Sequence, residues 1–132
     1  MPDQTAPIAV GSPAWILDPQ RRSYERPDGT RSGGPLRSAM WCDAVIVAEN
    51  RRSWIVVLAH LAPRWEGLPT WRVHRVPKGA EGVRDGATVH RQAVEDDVFV
   101  HDHRARIVDA VQRASAAQLR DVAAVVGYPV PE

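Results

Sequence analysis

Asp43-Ala44-Val45-Ile46-Val47-Ala48-Glu49-Asn50-Arg51-Arg52-Ser53-Trp54-Ile55-Val56-Val57-Leu58-Ala59-His60-Leu61 is the stretch that decides the fold. Two short β-branched runs, 44–48 and 54–59, flank a polar connector, 49–53. Such runs around a polar break predict a β-hairpin with a longer loop. Neither run alternates strictly between apolar and polar residues. That is the pattern of strands covered on both faces.

Upstream, Pro13-Ala14-Trp15-Ile16-Leu17 reads as a first strand. Asp18-Pro19 ends it, because proline cannot donate to a ladder and restricts the residue before it. Residues 1–12 read as a flexible tail, and 13–132 as a single domain. Between the first strand and the hairpin lies a long loop, 18–38, with three prolines, three glycines and five arginines. A loop of that length inside a compact domain is either functional or a solvated, mobile segment.

Downstream, residues 62–69 form a connector that exposes Trp65. Trp71-Arg72-Val73-His74-Arg75-Val76 alternates, which predicts a strand with Arg72 and His74 on the face away from the core. Residues 77–86 are turn material. Two further strands are expected at 87–91 and 97–101, while 105–114 fits a strand or a helical turn. The last helix is expected over 115–127. Ser115 and Gln118 have capping-box spacing, Leu119, Val122, Val125 and Val126 recur on one face, and Gly127 and Pro129 close it. The sum is a mainly β domain: a small barrel of five to six antiparallel strands with a C-terminal helix packed on it.

With 132 residues the chain can bury a core without staples. Its single cysteine, Cys42, excludes an internal disulfide framework and fits a reducing, cytoplasmic setting. No secretory signal and no apolar run long enough for a membrane span is expected. The net charge is only +1, yet basic residues outnumber acidic ones over 43–91 and the reverse holds over 92–132. Lys78 is the only lysine. Arginine suits bidentate contacts to phosphate and stacking on bases, although a GC-rich genome produces the same bias.

Three constellations carry candidate chemistry. His101 and His103, two apart in an expected strand, share a face and suit a metal, with His90, Asp96 or Cys42 as a third ligand. The alternative is a solvated strand end. His60, ending an apolar strand beside Arg64 and Trp65, suits a general acid or base. The alternative is a histidine bonded to backbone. Cys42, followed by Asp43, reads as a structural cysteine. The arginines and Tyr24 of the long loop suit phosphate contacts and base stacking.

Taken in order, Gly11-Ser12-Pro13-Ala14-Trp15-Ile16-Leu17-Asp18-Pro19, the two central strands, Pro77-Lys78-Gly79-Ala80-Glu81-Gly82, Arg106-Ile107 and the run from Ser115 to Gly127-Tyr128 resemble the MazF/PemK family of toxins of bacterial toxin–antitoxin systems. The resemblance covers roughly residues 11–128. It implies an SH3-like barrel and a metal-independent, cofactor-free endoribonuclease acting on single-stranded RNA. It also implies a homodimer and a cognate antitoxin. The family's arginine before the second strand and its hydroxyl pair after the third have no counterpart in register. Arg37, His60 and Arg64 then stand as the catalytic candidates. Arg21, Arg22, Tyr24, Arg31, Arg51, Arg52 and Trp65 stand as the RNA-binding ones. The second expectation is a non-catalytic module of the same fold that binds RNA or a protein.

Overall fold

The computed structural model describes residues 7–131. Residues 1–6, part of the expected tail, and Glu132 lie outside the described residues. Five strands form one antiparallel sheet: β1 (Pro13–Leu17), β2 (Trp41–Glu49), β3 (Ser53–Leu58), β4 (His74–Pro77) and β5 (Ala87–Thr88). Their order across the sheet is β4-β3-β2-β1-β5. The outer strands β4 and β5 touch, so the sheet curls into a nearly closed barrel. Two helices follow, α1 (Arg91–Gln112) and α2 (Ala116–Val126). No helix among the described residues is long and apolar enough to cross a membrane.

The hairpin forms where the β-branched runs predict it. Ala44 pairs with Leu58, Ile46 with Val56 and Glu49 with Trp54. The register shifts between Ile46 and Ala48, leaving Val47 as the extra residue of a β-bulge. A bulge bends its strand and sharpens the local twist, which is how a short sheet curls. Asn50 organises the connector by accepting hydrogen bonds from the backbone N–H groups of Arg52 and Ser53 at 3.0 and 2.8 Å.

One face of the sheet supplies the core: Ala14 and Ile16, Ala44 and Ile46, Trp54 and Val56, Val76, Ala87 and Val89. The opposite face is covered too, as the non-alternating runs predict. Val57 is fully buried there, and the 3-10 segment Ala59–Gly67, which buries Leu61, packs on β2 and β3. At the connector end Lys78 closes the core. Its ammonium lies 4.6 Å from the Trp54 ring centroid and pairs with Glu49. Arg84 and Ala87 exchange backbone hydrogen bonds of 2.9 and 3.0 Å around Asp85-Gly86. Both central residues have positive φ, 52° and 74°, the type I′ geometry that an Asp-Gly pair favours.

The segment 87–112 departs from the sequence reading. The strand ends at Thr88, and the strand expected over 97–101 is instead part of α1, a helix of about 33 Å. Of the residues 105–114, open to either reading, 105–112 continue that helix. Val98-Phe99-Val100 looks like a strand, but the pairs Arg91–Glu95, Gln92–Asp96, Asp97–His101 and Arg113–Asp109 are all four apart and join along a helix. The helix meets the body with Val94, Val98 and the carboxylates Asp97 and Asp102. Beyond Asp102 its residues are exposed as far as Ala110.

α2 has the predicted ends. Ser115 Oγ accepts from the Gln118 backbone N–H at 3.2 Å, the Gln118 side chain accepts from the Ser115 N–H at 2.9 Å, and Gly127 adopts φ 75°. The expected packing of this helix on the sheet is not seen. α2 has no buried residue, and Val125 is 86% exposed.

Candidate functional site

The antiparallel register gathers four strand ends at one end of the barrel. Leu17 pairs with Trp41, Leu58 lies two residues past Val56, and Val56 pairs with His74. The loop 18–40 and the segment 59–73 both leave from this end. Arg37, His60, Arg64 and Trp65 therefore lie on segments that leave from this end, as do Arg21, Arg22, Tyr24 and Arg31. Arg51 and Arg52 do not. They sit at the hairpin connector, about 25 Å away along β2 at the rise of a strand.

Arg37 is held in place rather than free. It lies in the 3-10 turn Arg37–Ala39, and its Nε and Nη2 donate to the two Asp97 carboxylate oxygens at 2.8 and 3.3 Å. Trp41 Nε1 donates to Asp97 at 2.9 Å. The backbone N–H groups of Arg37 and Ser38 donate to Asp102 at 2.6 and 3.2 Å. Burial alone would raise the Asp97 pKa. The hydrogen bonds from Arg37 and Trp41, with the charges of Arg37 and His101, outweigh it and hold the carboxyl below its ordinary value.

The loop residues are held by the loop itself. Arg21 Nη1 donates to Cys42 Sγ at 3.1 Å, and Arg22 Nε reaches the Pro19 carbonyl at 3.4 Å. The Arg31 guanidinium lies 5.5 Å from the Tyr24 ring centroid, and Glu25 bridges Arg31 through the backbone. Arg21, Arg22 and Arg31 remain exposed. In the segment Ala59–Gly67, Leu61 points inward while His60 and Arg64 face solvent. Arg64 marks a kink, with φ −125° and ψ 27°. Among the described residues no hydrogen bond or ion pair engages the side chain of His60 or Arg64. Trp65 is half-buried rather than exposed.

The arrangement proposed for His101 and His103 is not formed. On α1 two residues apart point to nearly opposite sides. His101 Nε2 lies 3.5 Å from Asp97, and the His103 ring stacks at 5.2 Å on Phe99. Among the described residues no group of three ligating side chains converges.

Three residues that the sequence reading did not nominate for a function complete this end. Trp71 lies in the 3-10 turn Thr70–Arg72 rather than in a strand and is 68% exposed. Arg72 sits over its ring at 4.4 Å from the centroid. His74, expected on the outer face, is two residues from the buried Val76 and pairs with Val56, so it lies on the core side. With Ile16, Leu58, Asp18 and Gln20, Trp71 and His74 line a cavity of about 350 Å³ at the barrel mouth. The signal for His74 was in the register, which needs the partner strand to be read.

Burial pushes the His74 pKa down, against a hydrogen bond with the Asp85 backbone and the Asp85 charge. The folded value is thus below the ordinary 6.5, and the neutral ring is the one the fold accommodates. The stability this contributes is present above about pH 6.5 and is lost as pH falls through the folded value. A proton NMR titration should give His74 a midpoint below 6.5, and His74→Gln should flatten the acid side of the stability profile. A midpoint at or above 6.5 contradicts this placement.

Comparison of the chain with protein-family models, with curated proteins and with solved structures finds no match in any of the three. The geometry on its own defines a small antiparallel barrel with an arginine-bearing loop and an aromatic-lined mouth at one end.

Proposed function

We propose that the protein is a MazF/PemK-like, RNA-directed protein that holds single-stranded RNA at this loop end. The observation that carries the reading is the exposure of Arg21, Arg22, Arg31, His60, Arg64 and Trp71 on the two segments that leave one end of the barrel. Single-strand binders combine a cationic track for the backbone with aromatic faces for the bases. Phosphate contacts release counterions, so affinity should fall steeply with salt. Fluorescence anisotropy with a short single-stranded RNA should show that dependence. The double variant R21A/R22A should bind more weakly and reduce the logarithmic salt slope by about 1–2. Binding that ignores salt points instead to a protein partner.

Cleavage is the second reading, favoured by the exposed, unpaired state of His60 and Arg64 among the described residues. His60 accepts the ribose 2′-OH proton as the 2′ oxygen attacks the adjacent phosphorus. The bond to the 5′ oxygen breaks, and that oxygen takes a proton from water. The products are a 2′,3′-cyclic phosphate and a 5′-hydroxyl. Arg64 balances charge on the phosphoryl oxygens. Arg37 keeps its bond to Asp97 and positions the start of β2. Purified protein should then cut single-stranded RNA in EDTA, with H60A and R64A each losing cleavage and R64A also binding more weakly. Intact RNA at high protein concentration, with harmless expression in bacteria, leaves the binding module alone. The resemblance also brings a homodimer, a cognate antitoxin and the bacterial cytoplasm, which co-purification with the product of a neighbouring reading frame tests.

A further inference from the structure

The mouth cavity is lined on one side by apolar residues of the barrel. It is the open end of the core itself: Ile16 and Leu58 form its apolar floor and His74 a wall, because all three continue the inward-facing rows of their strands. Trp71 stands at its rim. Arg72 covers the indole at 4.4 Å, which fixes the ring although the residue is 68% exposed. A large apolar ring left that open, held by a stacked guanidinium, is a platform for a second flat group. Polar residues line the same space. Asp18 Oδ1 accepts the Gln20 backbone N–H at 3.0 Å, and among the described residues no donor engages Oδ2. The Gln20 side chain and the His74 imidazole supply further donors and acceptors. An apolar floor, an aromatic rim and a few polar groups describe a pocket for one small planar heterocycle.

We propose that this cavity receives a single unpaired nucleobase of the bound RNA, stacked on Trp71, with the Asp18 carboxylate reading its edge. The inference rests on the RNA-binding reading above and deepens it. A carboxylate accepts N–H bonds and donates none, so it fits an edge that carries adjacent N–H donors. Guanine presents that edge through N1–H and its amino group. Uracil offers one N–H between two carbonyls, which a carboxylate repels. The pocket therefore prefers guanine to uracil. The backbone arginines hold the strand on either side and do not discriminate between bases.

The test uses the full chain and two probes, a short oligouridylate and the same oligomer with one central guanosine. Wild-type protein should bind the guanosine-containing strand more tightly. W71A should weaken that binding about 5- to 100-fold without changing the salt slope, since no phosphate contact is lost. D18N should erase the preference, weakening the guanosine-containing strand relative to oligouridylate, which no longer meets a repelling carboxylate. Trp71 is exposed, so W71A should match wild type in circular dichroism and melting, which separates a site effect from unfolding. If W71A binds like wild type while R21A/R22A binds weakly, the base lies elsewhere and this inference falls while the RNA-binding reading stands. Equal affinity for the two probes removes the guanine assignment. No binding of either probe by wild-type protein overturns both readings.

Discussion

Replacing Asp97 with alanine should cost about 2–3 kcal/mol of unfolding free energy, the range for hydrogen bonds to a charged group lost in a part-buried setting. The carboxylate side chain is only 13% exposed, and it accepts from the Arg37 guanidinium and from Trp41 Nε1 at once. Without it a half-buried guanidinium and an indole N–H lose their partner together. The loss also loosens the chain where the long loop enters β2 and where α1 rests on the body. Denaturant titration checks the size. A double-mutant cycle with Arg37→Ala should return a coupling of about 1–3 kcal/mol, because the two side chains share their bonds. Acid adds a second check. The Asp97 pKa is depressed in the fold, so its contribution is present above the unfolded carboxylate value of about 3.9 and fades as pH falls through the folded value. Asp97→Asn should remove that fading. A D97A protein as stable as wild type would show that the tie to α1 contributes nothing.

Ile46→Ala should cost more, about 2–5 kcal/mol, as large-to-small changes in a packed core do. Ile46 is 1% exposed and sits in the middle strand of the sheet, between β1 and β3. The truncation leaves a cavity that cannot close without moving Ile16 or Val56, which are fixed by the ladder. Val125→Ala on α2 is the contrast. That residue is 86% exposed, and its loss should stay within about 0.5 kcal/mol. The pair of variants in one denaturation experiment separates the barrel from the helix that follows it. Equal effects would contradict the separation.

The barrel strands were legible because their signals are local. The β-branched runs, the Asp18-Pro19 stop, the Asp85-Gly86 turn and the Ser115–Gln118 box each lie within a few residues of what they specify. α1 was not, because the stripe it turns to the body carries Asp97 and Asp102 among its apolar residues. Those carboxylates find their donors at Arg37 and Ser38, some 60 residues upstream. Periodicity counted on apolar side chains alone passes over such a stripe, while Val98-Phe99-Val100 imitates a strand. The site divides the same way. Arg21, Arg22, His60 and Arg64 could be nominated from composition and from strand ends. The mouth cavity draws on β1, the long loop, β3, the Thr70–Arg72 turn and β4, and no single stretch of sequence contains it.

Val47 of β2 has no pairing partner in β3, and on either side of it the ladder runs without a gap: Ile46 with Val56, then Ala48 with Ile55. Excising that one residue would leave every pair of the hairpin possible and take away the bend that helps bring β4 round to β5. The bend at this point of β2 is thus set by an insertion of length one, not by a change of residue type. A deletion series along β2 would measure how much of the sheet's curl that one residue supplies, which no set of point substitutions reaches.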